Sequence, residues 1–150
     1  MKAFILSLIC ATATTTALAA EPTVPYPAGY RDWHHVKSMV IEEGHSLFAS
    51  FGGIHHLYAN DKYFPDGSVI VFDLLDAVHD GNAVTEGTRK VVGVMYKDSK
   101  KFKATGGWGF EGFGGGDRAK RVVGNNAATA CFACHQPQKA QDYTFSRLRD

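Results

Sequence analysis

Ser68-Val69-Ile70-Val71-Phe72-Asp73-Leu74-Leu75 is the stretch that decides the fold. Val69, Ile70, Val71, Phe72, Leu74 and Leu75 are apolar on both faces of an extended segment, and β-branched and aromatic side chains suit a pleated backbone. Such a run reads as a central strand covered on both sides. Pro65-Asp66-Gly67 before it is a turn signal. Upstream, residues 38–42 and 53–58 read as short strands, with one helical turn expected over residues 60–64. Downstream, residues 89–97 and 107–113 read as further strands, and Gly114-Gly115-Gly116 ends the last. Pro22, Pro25 and Pro27 mark an extended arm, followed by an expected short helix over residues 30–37. A second helix is expected over residues 126–135. Strands in the middle with helices at both ends give an α+β domain, mainly an antiparallel sheet with short flanking helices.

The C-terminal helix carries the chemistry. Cys131-Phe132-Ala133-Cys134-His135 is C-x-x-C-H, the attachment sequence for a c-type haem. Thiols at i and i+3 share one side of a helical turn, so both can add to the two vinyl groups of one haem. His135 then lies under the ring and can offer an imidazole nitrogen to the iron. A thioredoxin-like pair normally follows the first strand of a βαβ unit, whereas here the motif is last. A zinc site needs a second C-x-x-C or H-x3-H pair, and the chain has none. The expected cofactor is therefore one haem c, covalent through Cys131 and Cys134, with His135 as the metal ligand.

Residues 1–20 read as a signal peptide: Lys2, a short apolar core with Phe4, Ile5, Leu6, Leu8 and Ile9, then Ala17-Leu18-Ala19-Ala20. Export to the periplasm suits haem attachment, and Cys10 would leave with the leader. Residues 21–150 are then one haem-binding domain, roughly 130 residues with a single core. Sixteen Lys+Arg stand against fifteen Asp+Glu, and losing Lys2 balances them. That balance gives no reason to expect nucleic acid as a partner, or a membrane once the signal is removed. The β-rich middle excludes a four-helix haem bundle. A small electron-transfer cytochrome c is excluded by the late motif and by Met39 and Met95 both preceding it.

With these residues in view, the chain resembles the cytochrome P-460 family. The pieces that match are Tyr30-Arg31-Asp32-Trp33, Phe64-Pro65-Asp66-Gly67-Ser68-Val69-Ile70-Val71, Met95-Tyr96-Lys97-Asp98, Gly107-Trp108-Gly109-Phe110, the C-x-x-C-H motif and Tyr143-Thr144-Phe145-Ser146. The resemblance implies a mostly antiparallel domain, a homodimer, and a five-coordinate haem on His135. It also implies a choice between two kinds of protein. Cytochrome P-460 proper oxidises hydroxylamine and joins a lysine to its haem, and that lysine directly follows the strand that Asp66-Gly67-Ser68-Val69-Ile70-Val71 matches. Here the position holds Phe72. The cytochrome c-prime beta branch lacks the link, lines its distal pocket with phenylalanine and binds nitric oxide and carbon monoxide. Phe72 places the chain nearer that branch.

Other candidates follow from position. His55 and His56 are adjacent on an expected strand and should face opposite ways, so one can reach the distal side as a hydrogen-bond donor or a sixth ligand. Phe48 or Phe51 is the candidate second aromatic. Met95 is a weak candidate ligand. Glu111 faces away from Trp108 and Phe110 and is expected at an exposed or interface position. Arg118, Lys120 or Arg121 is a candidate partner for a haem propionate. His34, His35, His45 and His79 read as solvated. The expected function is gas binding rather than catalysis, with a redox partner possible. The alternative is a haem oxidoreductase acting on hydroxylamine or nitric oxide.

Overall fold

The computed structural model describes residues 23–149, so the leader expected at residues 1–20 lies outside the described residues. Residues 69–75 fall in the central strand of a five-stranded sheet, as their two apolar faces require, and Ser68 lies just before it. The strands are β1 (His34–Ile41), β2 (Gly53–Ala59), β3 (Val69–Asp80), β4 (Ala83–Lys97) and β5 (Trp108–Gly114). They lie in chain order, each antiparallel to the next. The α+β architecture holds.

Register sorts the side chains. Leu57 pairs with Phe72, Phe72 with Gly93, Ile70 with Met95, and Met95 with Phe110. These residues share one face, where Val36, Leu57, Ala59, Phe64, Ile70, Trp108 and Phe110 form a buried cluster. The opposite face buries Val71, Val92, Val94 and Phe113 beneath the N-terminal arm, which contributes Val24 and Tyr30. Tyr26 stands edge-on to Phe113 at 5.0 Å, and Arg121 Nη1 donates to the Val24 carbonyl at 2.9 Å.

Several boundaries differ from expectation. The helix expected over residues 30–37 is a single 3-10 turn, Tyr30–Asp32, and Trp33 is already extended. From His34 the chain pairs with β2, with one irregularity between His35 and Lys37, and pairing with the sheet outweighs a weak local helix preference. Residues 60–64 form no helical turn. Asn60 instead bonds across the loop: its Oδ1 accepts from Val69 N at 2.7 Å and its Nδ2 donates to Gly67 O at 3.3 Å. That is the competition that keeps Asn out of helices. β4 begins at Ala83 rather than near residue 89, because a two-residue Gly81-Asn82 turn joins it to β3 and lets the ladder run out to Asp80 and Ala83.

One buried charge was not expected on this sheet. Asp73, fully buried on β3, accepts hydrogen bonds from Tyr30 Oη at 2.6 Å, Arg31 Nη2 at 3.1 Å and Arg89 Nε at 2.7 Å. Burying a carboxylate is tolerable only with such partners. Here they also fix the N-terminal turn to the sheet.

Candidate functional site

The segment carrying Cys131 and His135 is helical but not uniform. Gly124–Asn126 is a 3-10 turn, Ala128–Phe132 a π turn, Ala133–His135 an α turn (α2), and Gln136–Gln141 is again 3-10, with Pro137 near its start. The uninterrupted helix expected over residues 126–135 is thus a wound run of changing pitch, of the kind that recurs at functional sites. Cys131 and Cys134 are both free thiols, the first half-buried and the second exposed. Burial pushes the Cys131 thiol up to about 11, with Glu111 and Cys134 adding to it.

His135 is held in one tautomer. Its Nδ1 lies 2.8 Å from the Tyr143 carbonyl, which can only accept, so Nδ1 carries the proton and Nε2 keeps its lone pair. Burial pushes the ring below its ordinary range while the carbonyl opposes that push, so the imidazole is neutral. Phe110 and Phe145 flank it at 5.0 and 4.9 Å between ring centroids. A backbone acceptor fixing the second nitrogen is the usual support of a metal-ligating histidine.

The backbone that delivers this carbonyl is strained. Asp142 and Tyr143 both have left-handed conformations, with φ of 53° and 60°, a region that costs a non-glycine residue on the order of 1–3 kcal/mol. Three contacts hold them there. Lys97 Nζ bonds Asp142 Oδ1 at 2.6 Å, Trp108 Nε1 donates to the Asp142 carbonyl at 2.9 Å, and Tyr143 N donates to the Gln138 carbonyl at 2.9 Å. Gly106 completes the fit, since a Cβ there would collide with the Tyr143 ring. Lys97, Trp108 and Tyr143 stand out in sequence only as motif fragments. Their shared purpose depends on contacts 34 to 45 residues apart for the Trp108 and Lys97 bonds.

The second group of candidates lies on the same face of the sheet. Phe72 packs against the cluster that also receives Met39, Met95, Cys131 and Phe132, and all of these stay only partly buried. Phe51, from the short helix α1 (Phe48–Phe51), meets Phe72 edge-on at 5.8 Å. His55 does the same at 4.7 Å and is 1% exposed. Of the two candidate second aromatics, Phe51 touches Phe72. Phe48 instead lines an open groove of about 480 Å³ with Glu42, Asp76, His79 and Lys90, which Phe72, His55 and His135 do not line. His56 faces away as expected, near Ser38 and Glu86. His34, His35, His45 and His79 are exposed.

One expectation is corrected. Glu111 faces away from Trp108 and Phe110, as its position on the strand requires, yet it is buried rather than exposed. Its carboxylate accepts from the N–H groups of Gly112, Val123 and Gly124 and from Arg121 at 3.1 Å, so it clamps the loop entering the motif segment. A loop returning along the sheet edge covers a strand face that looks open in sequence. Of the basic residues considered for a propionate, Arg121 is committed to Glu111 and Val24, and Arg118 lies over the Tyr26 ring at 4.8 Å. The Lys120 chain lies against Gly114.

Together the donors are two thiols three residues apart and one neutral imidazole with a free Nε2. They sit beside apolar side chains that the protein leaves partly open. Among the described residues, no cluster of three or more His, Cys, Asp or Glu is set to hold a bare metal ion. This set fits a metal carried within a macrocycle: sulfur for its periphery, nitrogen for its centre. Comparison with known proteins agrees, for residues 27–146 match the family model described as Cytochrome P460. No curated protein matches the chain.

Proposed function

Because the chain belongs to the cytochrome P460 family of haem c cytochromes, we propose that it is an exported mono-haem protein whose five-coordinate iron binds nitric oxide and carbon monoxide. Cys131 and Cys134 anchor the haem covalently and His135 Nε2 is the proximal ligand. Phe72, with Phe51 against it, caps the open face. When bound, the haem supplies an iron with one free position for a small neutral ligand. The edge-on contact of Phe51 with Phe72 carries this reading. Two hydrocarbon rings over the free position offer no donor to an anion and little room for water, while a neutral diatomic can pass between them.

The remaining residues serve that site. The Tyr143 carbonyl keeps the proton on His135 Nδ1 and so keeps Nε2 available. The clamp of Lys97 and Trp108 on Asp142 sets the carbonyl's direction. Phe110 and Phe145 flank the imidazole and help hold its plane. Export to the periplasm, a homodimer and an electron-donating partner complete the proposal.

Optical spectra of the ferric and ferrous protein test it. Five-coordinate high-spin iron in both states, with carbon monoxide and nitric oxide binding the ferrous form, is the expected result. A low-spin six-coordinate spectrum would overturn the open site and point to His55 or Met95 as a sixth ligand. Anaerobic mixing with hydroxylamine and an electron acceptor tests the enzymatic alternative, and turnover well above that of free haem would favour it.

A further inference from the structure

His55 makes an arrangement that its sequence position did not foretell. Its Nε2 lies 2.5 Å from the Phe51 carbonyl, and because a carbonyl can only accept, Nε2 carries the ring's proton. Burial holds the ring neutral, since the pull of the Phe51 carbonyl is the smaller effect and Lys90 adds to the downward push. Nδ1 is therefore a bare lone pair. It is buried and has no hydrogen-bond partner among the described residues. The nearby ammonium does not serve it, for Lys90 Nζ donates to the Gly52 carbonyl at 2.9 Å.

A buried acceptor left unpaired costs on the order of 1–3 kcal/mol, and a leucine in its place would avoid that cost. The ring carrying this lone pair also stands edge-on against Phe72, the residue that caps the proposed ligand position. We propose that His55 is the hydrogen-bond acceptor of the distal pocket, positioning small neutral ligands that carry an N–H or O–H. This rests on the haem lying beneath Phe72, and it reverses the expectation that His55 would act as a donor. Carbon monoxide and nitric oxide bring no hydrogen to Nδ1, so they gain nothing from it. Their bound oxygen meets a partial negative charge. A ligand with a hydrogen satisfies the orphaned nitrogen, so the pocket discriminates between two small ligands of similar size by their hydrogens alone.

The experiment uses the haem-loaded protein and its variants His55→Leu and His55→Gln. Glutamine can still donate to the Phe51 carbonyl and offer an acceptor. The first readout is the C–O stretching frequency of the carbon monoxide adduct. It is expected to fall in His55→Leu, as a negative partial charge is removed, and to return toward the original value in His55→Gln. The second is binding of hydroxylamine without an electron acceptor, expected to weaken about tenfold in His55→Leu, the equivalent of one hydrogen bond, with carbon monoxide affinity held or raised. The third needs no substitution: nitrogen-15 shifts of His55 in the diamagnetic carbon monoxide adduct should show a protonated Nε2 and an unprotonated Nδ1. A protonated Nδ1, or a stretch and affinities that ignore residue 55, would overturn the acceptor role. Failure to form any carbon monoxide adduct would instead defeat the gas-binding site itself.

Discussion

Phe72 stays partly open between Ile70 and Leu74, which are both buried on the same strand and face. That contrast makes it the most direct residue to test. Phe72→Ala should cost about 2 kcal/mol of stability for a partly buried ring. It should also speed carbon monoxide binding on the order of tenfold, equivalent to about 1.4 kcal/mol off the barrier. Flash photolysis of the ferrous adduct measures this, and unchanged rates would make Phe72 plain core. Glu111 belongs to the same scale. Burial alone would raise its carboxyl, but Gly112, Val123, Arg121 and Gly124 together hold it below the ordinary range. A depressed folded-state value adds stability that is present above the unfolded value of about 4.3 and lost as pH falls through the folded one. Chemical denaturation should therefore show Glu111→Gln less stable by about 1–3 kcal/mol at pH 7, with the gap closing toward pH 3. The Cys131–His135 motif could be picked out in sequence because its spacing lies within five consecutive residues. Glu111 was not, because its burial comes from backbone that returns 12 residues later.

At the scale of elements, the turn at Asp142 and Tyr143 is the part that most depends on the rest of the molecule. Two left-handed residues in succession are not stable by themselves. They persist because β4 supplies Lys97 and β5 supplies Trp108. Lys97→Met should keep the fold and its covering of Trp108 while releasing Asp142. Resonance Raman of the ferrous protein should then show a shifted and broadened iron–histidine stretch, as the hydrogen bond to His135 Nδ1 loses its fixed direction. A sharp, unmoved band would show that the clamp does not reach the histidine. β-Strands were the elements most legible in sequence, since their alternation and apolar runs are local signals. The short segment over residues 30–37 misled because the ladder it joins, β2, lies some twenty residues further on. The changing pitch around the motif has no local signature at all.

The whole molecule divides its labour between two faces of one sheet. One face takes the N-terminal arm, tied down through Tyr30, Arg31 and Asp73. The other takes the C-terminal run with its thiols and imidazole. The antiparallel architecture was legible because each strand and its turn could be read in order. Which residues meet across the faces was not, since that depends on how the ends of the chain fold back. A group bound to one face should raise the stability of the whole fold and suppress local opening most in the elements it touches. The double variant Cys131→Ala, Cys134→Ala should thus lose haem and melt at lower temperature. Its amide protection should fall mainly over residues 124–145, while β2, β3 and β4 keep theirs. Uniform loss of protection would mean the sheet itself depends on the haem.

The strands of this sheet lie in the order in which they are synthesised. Each new strand finds its neighbour already in place, so assembly proceeds by short steps with little loop to close. The thiols come last, on a run that can dock only on a surface the earlier strands have built. This order predicts that the sheet forms before the segment over residues 128–141 docks on it. Pulse-labelled amides should show β2 to β4 protected first and residues 128–141 only after haem attachment. Simultaneous protection would mean that fold and cofactor arrive together.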